Sequence, residues 1–410
     1  MKTVSELNIK NNTDRIFLVS VGIALTLSTI FLRFIVRDLP STDMIICLLP
    51  WYDIYKANGG FRAIGYTVGN YNYLYSLLII ILTYIPIEAI HAYKVLSGLF
   101  DYLTAFTVMY LTGILTAGSP RRKKYMLASY AFVIFSPIVL QNSAVWGQCD
   151  SMLAFFVILA LVCIIREKYI ACCIALGMAL AIKLQMIFIM PLIFYVYIVR
   201  FREKRFRFGY FVIVPATLWL TSVPHIIGGG GILDCFMVYL SQGTGQSDRL
   251  YENIGCFWAL FVPDSRKAAE TGIQFPVLLF VFVAFAVLAA FFVYCHAKKV
   301  ELTPLNLTYM SFLCIFICVF FLPHMRDRYG YIYEILAIVL CFTDRKTILP
   351  LIMIYISTLA RYNSYLWGIK LIPVWGSAAL NLLALSAYFL LFAKRISAEK
   401  QEAKTKTKVS

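Results

Sequence analysis

The chain reads as an all-α polytopic membrane protein of about twelve transmembrane helices, with a long external loop carrying juxtamembrane helices after the first span. Three observations predict this. Of its 410 residues 61% are hydrophobic and 14% charged, and the mean hydropathy is +0.79, a balance outside that of soluble globules. Apolar runs recur along the chain, bounded by polar or basic clusters. With the runs counted as below, the basic clusters RRKK, REK and RFREKRFR all fall on one side, as the positive-inside bias requires.

Residues 1–15 are polar and lead into a full-length apolar run, 16–36, without a small-residue cleavage motif. No cleaved signal peptide is therefore expected, and residues 1–15 are expected in the cytoplasm. The next stretch, Arg37 to Asn72, is polar, aromatic and Gly-rich and holds two carboxylates, Asp43 and Asp53. Trp51, Tyr52, Tyr55, Phe61 and Tyr66 give it side chains to pack with, so it reads as an ordered loop. Further spans are expected near 94–117, 125–141, 151–165, 169–182, 186–199, 209–225, 275–295, 304–322, 331–343, 347–360 and 373–393. The pair meeting at Ile182 and Met186 is short and reads as a hairpin, its polar turn Lys183–Gln185 lying in the outer half of the membrane.

One apolar run, Tyr73 to Ile87, is left out of this count. If it crossed, every later loop would change sides and the basic clusters would face outward, against the positive-inside bias. Held at the outer face, it extends the first external region to 37–93 and puts both termini inside. Then 24 of the 37 Lys and Arg, but 8 of the 21 Asp and Glu, are cytoplasmic, and this side carries the whole formal +16. The charge is thus an orientation signal able to touch anionic lipid, and no nucleic-acid partner is expected. The organisation is a single transmembrane domain, 16–393, with external regions 37–93 and 225–275 and a basic, solvated cytoplasmic tail, 394–410. The two halves show no repeat. Most of the eleven cysteines lie in apolar runs, where Cys behaves as a small hydrophobe.

This topology gathers four polar clusters on the outer face: Asp43 and Asp53, WGQCD (Trp146–Asp150), KLQ (Lys183–Gln185) and PHMRDRYG (Pro323–Gly330). Ionisable groups at membrane depth are costly and tend to be paired or functional. Carboxylates facing Lys, Arg and His suit a reaction in which a base activates a hydroxyl while cations hold a phosphate leaving group. Each cluster also has a plainer reading. Asp43 in STD could cap a juxtamembrane helix, Asp53 could solvate or cap, and Asp150 could favour the positive end of a helix. Lys183 could snorkel, and Arg326 and Arg328 could pair with Asp327 and Glu334. Asp101, inside a span, reads as a buried structural acid paired with Lys94 or a neighbouring helix. Tyr251, Asn253 and Trp258 could shape a groove or pack a lid. His225 and His296 lack ligand-spaced partners, so no His metal site is expected.

An Asp shortly after the first span, then GQxDS, then KxQ in a short hairpin, then LPxMxxRY resembles the GT-C superfamily of lipid-phosphosugar-dependent glycosyltransferases. Within it the pattern is similar to bacterial mannosyltransferases related to the second mannosyltransferase of GPI-anchor assembly. It covers Asp43 to Tyr329. The resemblance implies inverting transfer of a hexose, mannose or glucose, from a polyprenyl-phosphate donor to a glycan, glycolipid or protein acceptor. The setting would be the outer face of a bacterial cytoplasmic membrane, in the assembly of cell-envelope glycan. Asp43 matches the family's general base. Gln148 and Asp150 stand where dolichol-phosphate-glucose-dependent members carry His-Phe-Gln-Tyr-Asn, and with Gln185, Asp53 and Tyr329 are expected to contact sugar or acceptor. Lys183, His324, Arg326 and Arg328 are expected to hold the donor phosphate. The family's late motif usually reads P-x-M-H-E-R-Y, so Arg326 replaces its His and Asp327 its Glu, and anion binding survives better than a proton role. No cofactor beyond the lipid-phosphate sugar is implied, and a divalent ion between Asp43 and Asp150 is left open. The competing readings are a transporter or flippase of lipid-linked saccharide, which predicts internal repeats, and a noncatalytic scaffold, which leaves the four coincident clusters unexplained.

Overall fold

The computed structural model describes residues 4–203, 205–244, 249–271 and 276–409. Parts of the predicted N-terminus and of the 225–275 loop lie outside these residues. Every apolar run counted above folds as a helix. These are α1 (Val4–Ile35), α2 (Ala89–Leu115), α3 (Arg122–Ile134), α4 (Asp150–Ile165), α5 (Tyr169–Ile182), α6 (Met190–Arg200), α7 (Ile213–Thr221), α8 (Val277–Ala297), α9 (Pro304–Phe321), α10 (Tyr331–Cys341), α11 (Ile348–Trp367) and α12 (Val374–Val409). Six segments are long and apolar enough to cross a bilayer unaided: Ile16–Ile35, Ala89–Leu115, Arg122–Val145, Val277–Ala297, Pro304–Phe321 and Val374–Glu402. The others are shorter or carry more polar residues. Pro137 explains why α3 stops early, because it lacks the N–H that would continue the helix; short helical turns, Pro137–Leu140 and Gln141–Val145, carry the chain on to Trp146.

Burial is graded as lipid solvation requires. In α9 83% of the apolar window is buried, whereas α8 has 17% and exposes Leu278, Phe282 and Phe285. On α1 the figure falls to 6%, with Phe17, Ile23 and Phe31 outward. Outer helices that expose Phe and Leu while satisfying their own backbone bonds are those of an all-α integral membrane protein. The core runs through α9 and α10, where Tyr331 to Leu340 are all buried. Cys172 and Cys173, fully buried on α5, pack as small apolar side chains.

The first loop is ordered, with its own core. Helix Leu49–Ala57, Pro50 in its first turn, packs Tyr52 and Tyr55 against Ile79 and Ile80 of helix Tyr73–Leu82 and against Tyr93 of α2. Helix Tyr73–Leu82 has ten residues, about 15 Å, half the hydrocarbon thickness. Asn72 caps it, accepting from Tyr73 N at 2.8 Å, and donates to Cys235 O at 2.8 Å, which ties the loop to residues beyond α7.

Two further contacts position the site. Strands β1 (Tyr251–Glu252) and β2 (Met325–Arg326) pair in parallel, Tyr251 with Met325 and Glu252 with Arg326, so the 225–275 loop is fastened to the late polar motif. Inside the bundle Asp101 is a paired structural acid, and its partner comes from a neighbouring helix and not from Lys94. Arg33 Nη2 of α1 donates to it at 2.6 Å, joined by the Ser143 and Tyr331 hydroxyls. Lys94 instead caps the end of α1 by donating to the carbonyls of Val36 and Leu39 at 3.0 and 2.7 Å.

Candidate active site

Four elements distant in sequence converge on Asp43. It stands at the entry to the helical turn Met44–Leu48 and makes no capping bond there; Ser41 Oγ does that work, accepting from Met44 N at 3.2 Å and donating to Trp146 O at 3.0 Å. Freed from capping, the Asp43 carboxylate takes four donors. Oδ2 accepts from Trp146 Nε1 at 3.0 Å, Gln148 Nε2 at 2.8 Å and Arg328 Nη1 at 2.8 Å, and Oδ1 accepts from the Tyr365 hydroxyl at 2.5 Å. Trp146 and Gln148 both reach the same oxygen because Gly147 between them adopts φ +73°, where a Cβ would also collide with Met44. Trp146 is clamped by rings of α11, stacked on Tyr365 at 4.5 Å and edge-on to Tyr362 at 5.3 Å. The Arg328 guanidinium lies over the indole at 5.3 Å.

A second pair sits alongside. Lys183, in extended backbone between α5 and the turn Leu184–Ile189, reaches Asp150 Oδ1 at 2.5 Å, and Asn142 Nδ2 donates to Asp150 Oδ2 at 2.9 Å. Arg328 joins the pairs, its Nε 4.0 Å from Asp150 Oδ2. The guanidinium thus lies between Asp43 and Asp150. Among the described residues no three His, Cys, Asp or Glu side chains cluster as metal ligands.

Burial opposes the charge on Asp43, but Arg328 and the hydrogen bonds from Tyr365 and Trp146 outweigh it and hold the carboxyl below its ordinary range. Asp327, next to Arg328, is the opposite case. Burial pushes its carboxyl up to about 7 despite Arg328 and a 2.9 Å hydrogen bond from Asn253 Nδ2. For His324 burial also dominates and lowers the imidazole below its usual value, so it is neutral at pH 7 and offers a phosphate no charge.

Of these groups Lys183, His324 and Arg328 line a cavity of about 540 Å³, together with Gln185, Arg326 and Tyr329 among others. Val277 and Val281 of the lipid-exposed α8 form an apolar part of its wall. Gln185 Oε1 is buried with no partner, and an unsatisfied acceptor of this kind costs roughly 1–3 kcal/mol until a ligand donor meets it. Of the residues expected from sequence, Asp43, Gln148, Asp150, Lys183 and Arg328 form one connected cluster, and Gln185, His324, Arg326 and Tyr329 line the cavity. Asp53 is exposed on helix Leu49–Ala57 and hydrogen-bonds none of the described residues, so it lies apart. Arg326 does not pair with Asp327 but with Glu252, at 3.1 Å.

Sequence reasoning missed Tyr365 and Tyr362. It ended the span at 360, whereas α11 continues to Trp367 and stops at Gly368, φ +68°. That glycine, with tyrosines spaced i, i+3, was the available signal. Asn142, Tyr71 and Glu252 were missed as well. Tyr71 lies beneath Lys183, its ring centre 5.4 Å from Nζ, and donates to Gln148 Oε1 at 3.4 Å.

No curated protein matches the chain. A family match does extend over more than half of it, residues 71–323, taking in Gln148, Asp150, Lys183 and Gln185. Asp43 and Arg328 fall outside that stretch but are bonded into the same cluster. On this match the chain belongs to glycosyltransferase family 87.

Proposed function

We propose that this glycosyltransferase moves a hexose, mannose in preference to glucose, from a polyprenyl phosphate to an acceptor hydroxyl at the outer membrane face, with inversion at C1. The observation that carries the reading is the ionised, partly exposed Asp43 carboxylate beside cations and close to a cavity whose wall includes a lipid-exposed helix. An isoprenoid chain would lie along Val277 and Val281, with its sugar near Gln148, Asp150 and the unpaired Gln185 acceptor.

The acceptor hydroxyl takes a place in the Asp43 hydrogen-bond shell and its oxygen attacks C1 as the C1–phosphate oxygen bond breaks. Asp43 takes the hydroxyl proton. The phosphate departs as an anion stabilised by Lys183, Arg326 and Arg328, so no general acid is required. A carboxyl below its ordinary range is fully ionised at neutral pH and ready to accept that proton. The acceptor is a glycan, glycolipid or protein of the cell envelope. In the accompanying topology α1–α12 all cross a bacterial cytoplasmic membrane, regions 37–93 and 225–275 are external, and the tail 394–410 is cytoplasmic.

The test incubates purified protein with radiolabelled polyprenyl-phosphate mannose or glucose and membrane extract as acceptor source. Transfer or donor hydrolysis that is lost in Asp43→Asn supports the reading. An Asp43→Asn protein that is folded and fully active would overturn the base assignment, and donor carried across vesicles uncleaved would favour a flippase.

A further inference from the structure

The cations around the cavity fall into two groups. Inside, Lys183 is 2.5 Å from Asp150 and Arg328 is 2.8 Å from Asp43, so each already has its own carboxylate. At the rim, Arg249 and Arg326 share one. Glu252 Oε1 is 3.2 Å from Arg249 Nη1 and Glu252 Oε2 is 3.1 Å from Arg326 Nε. Two guanidiniums carry ten N–H donors between them, and most of these meet no acceptor among the described residues.

This rim is built rather than incidental. The β1–β2 pairing sets Glu252 directly beside Arg326. His324, at φ +59°, fastens the start of β2 to the other chain segment, its N donating to Leu250 O at 2.6 Å and its Nδ1 bonded to Arg249 O at 2.9 Å. Both arginines and the glutamate line the same cavity as Lys183 and Arg328.

One carboxylate with an oxygen on each of two arginines has the charge and bridging geometry of a phosphodiester. We infer that the Arg249–Arg326 pair is a lipid-phosphate site and that Glu252 fills the phosphate's place when the site is free, acting as a built-in competitor. Glu252 is 39% exposed, so on displacement its carboxylate turns to water, and the exposed pairs it gives up contribute little. The ligand class is a phosphate ester on a lipid chain, either the isoprenoid of a donor or a glycerophospholipid headgroup. The inference rests on the proposed use of a lipid phosphate and adds Arg249 and the competing Glu252 to its contacts.

The test measures binding of farnesyl phosphate and, separately, of short-chain phosphatidylglycerol to the full-length protein in neutral detergent. Farnesol is the uncharged control. Arg249→Ala and Arg326→Ala should each weaken binding about tenfold, and Glu252→Gln should tighten it severalfold, a gain that misfolding does not produce. The arm in which these changes appear names the source of the phosphate. Binding that is equal in wild type and both arginine variants, or weakened by Glu252→Gln, overturns the inference while leaving lipid-phosphate use intact. Failure of the wild type to bind either lipid overturns both.

Discussion

The Arg–Asp pairs Arg328–Asp43, at 2.8 Å, and Arg33–Asp101, at 2.6 Å, look alike in isolation. Their surroundings separate them. Asp101 is completely enclosed, and its other partners, Ser143 and Tyr331, are side chains of the bundle interior. Asp43 keeps 25% of its side chain exposed and gathers its donors from three later segments around a cavity. The first arrangement fixes α1 and α2 to the core, and the second leaves a charge within reach of solvent. An ion pair inside a membrane protein therefore acquires its role from access, since distance and partner type are shared by both.

Substituting the two acids should break the comparison most sharply. Asp43→Asn keeps shape while removing the proton acceptor, and transfer per folded molecule should fall by about 10²–10⁴, with a smaller loss of stability than in Asp101→Asn because Arg328 keeps Asp150 at 4.0 Å. Initial rates beside a size-exclusion profile check both halves. Asp101→Asn should do the reverse. It leaves the Arg33 charge without its carboxylate in a buried site, a loss on the order of 3–5 kcal/mol, so thermal stability in detergent drops while the rate per folded molecule holds. A normal melting curve for Asp101→Asn would remove the structural assignment.

The sequence separates these acids only in part. Asp43, Asp150, Lys183 and Arg328 stand out because ionisable residues beside apolar runs are rare and expensive, and their motif order predicts that they meet. Who pairs with whom is a tertiary fact. Lys183 goes to Asp150 and Arg328 to Asp43, while Arg33 reads in the sequence as an ordinary basic flank of the first span. Tyr365 was hidden by a span ended too early, and Glu252 by a two-residue strand pairing that leaves no periodic pattern. Asp53 is the converse case: it is as conspicuous as Asp43 in sequence, yet helix Leu49–Ala57 turns it outward.

A smaller effect should come from Tyr365→Phe. The hydroxyl donates to Asp43 Oδ1 at 2.5 Å and favours the ionised form, so its loss lets the carboxyl rise toward its ordinary value. The acid limb of the pH–rate profile should move up in pH, with a few-fold change at most near pH 7. The stability linked to Asp43 is present above its unfolded pKa and is lost as pH falls through the lower folded value. The variant should therefore start less stable than wild type at neutral pH and lose less stability on acidification. An unmoved acid limb would show that Asp43 does not set it.

The smallest effect concerns Asp327, which differs from Asp43 in sign. Its folded carboxyl is pushed up to about 7, against an unfolded value near 3.9, so the folded protein holds a proton there that the unfolded chain has released. Stability from this group is greatest below about pH 4, declines between about 4 and 7, and stays at its lower level above. Asp327→Asn keeps a neutral group that can still accept from Asn253 Nδ2, and it removes that decline. Melting temperatures of variant and wild type should coincide near pH 4 and separate progressively toward pH 7.5, with the variant higher. Parallel curves across that range would mean that Asp327 ionises normally in the fold and that Arg328 has a third carboxylate charge beside it.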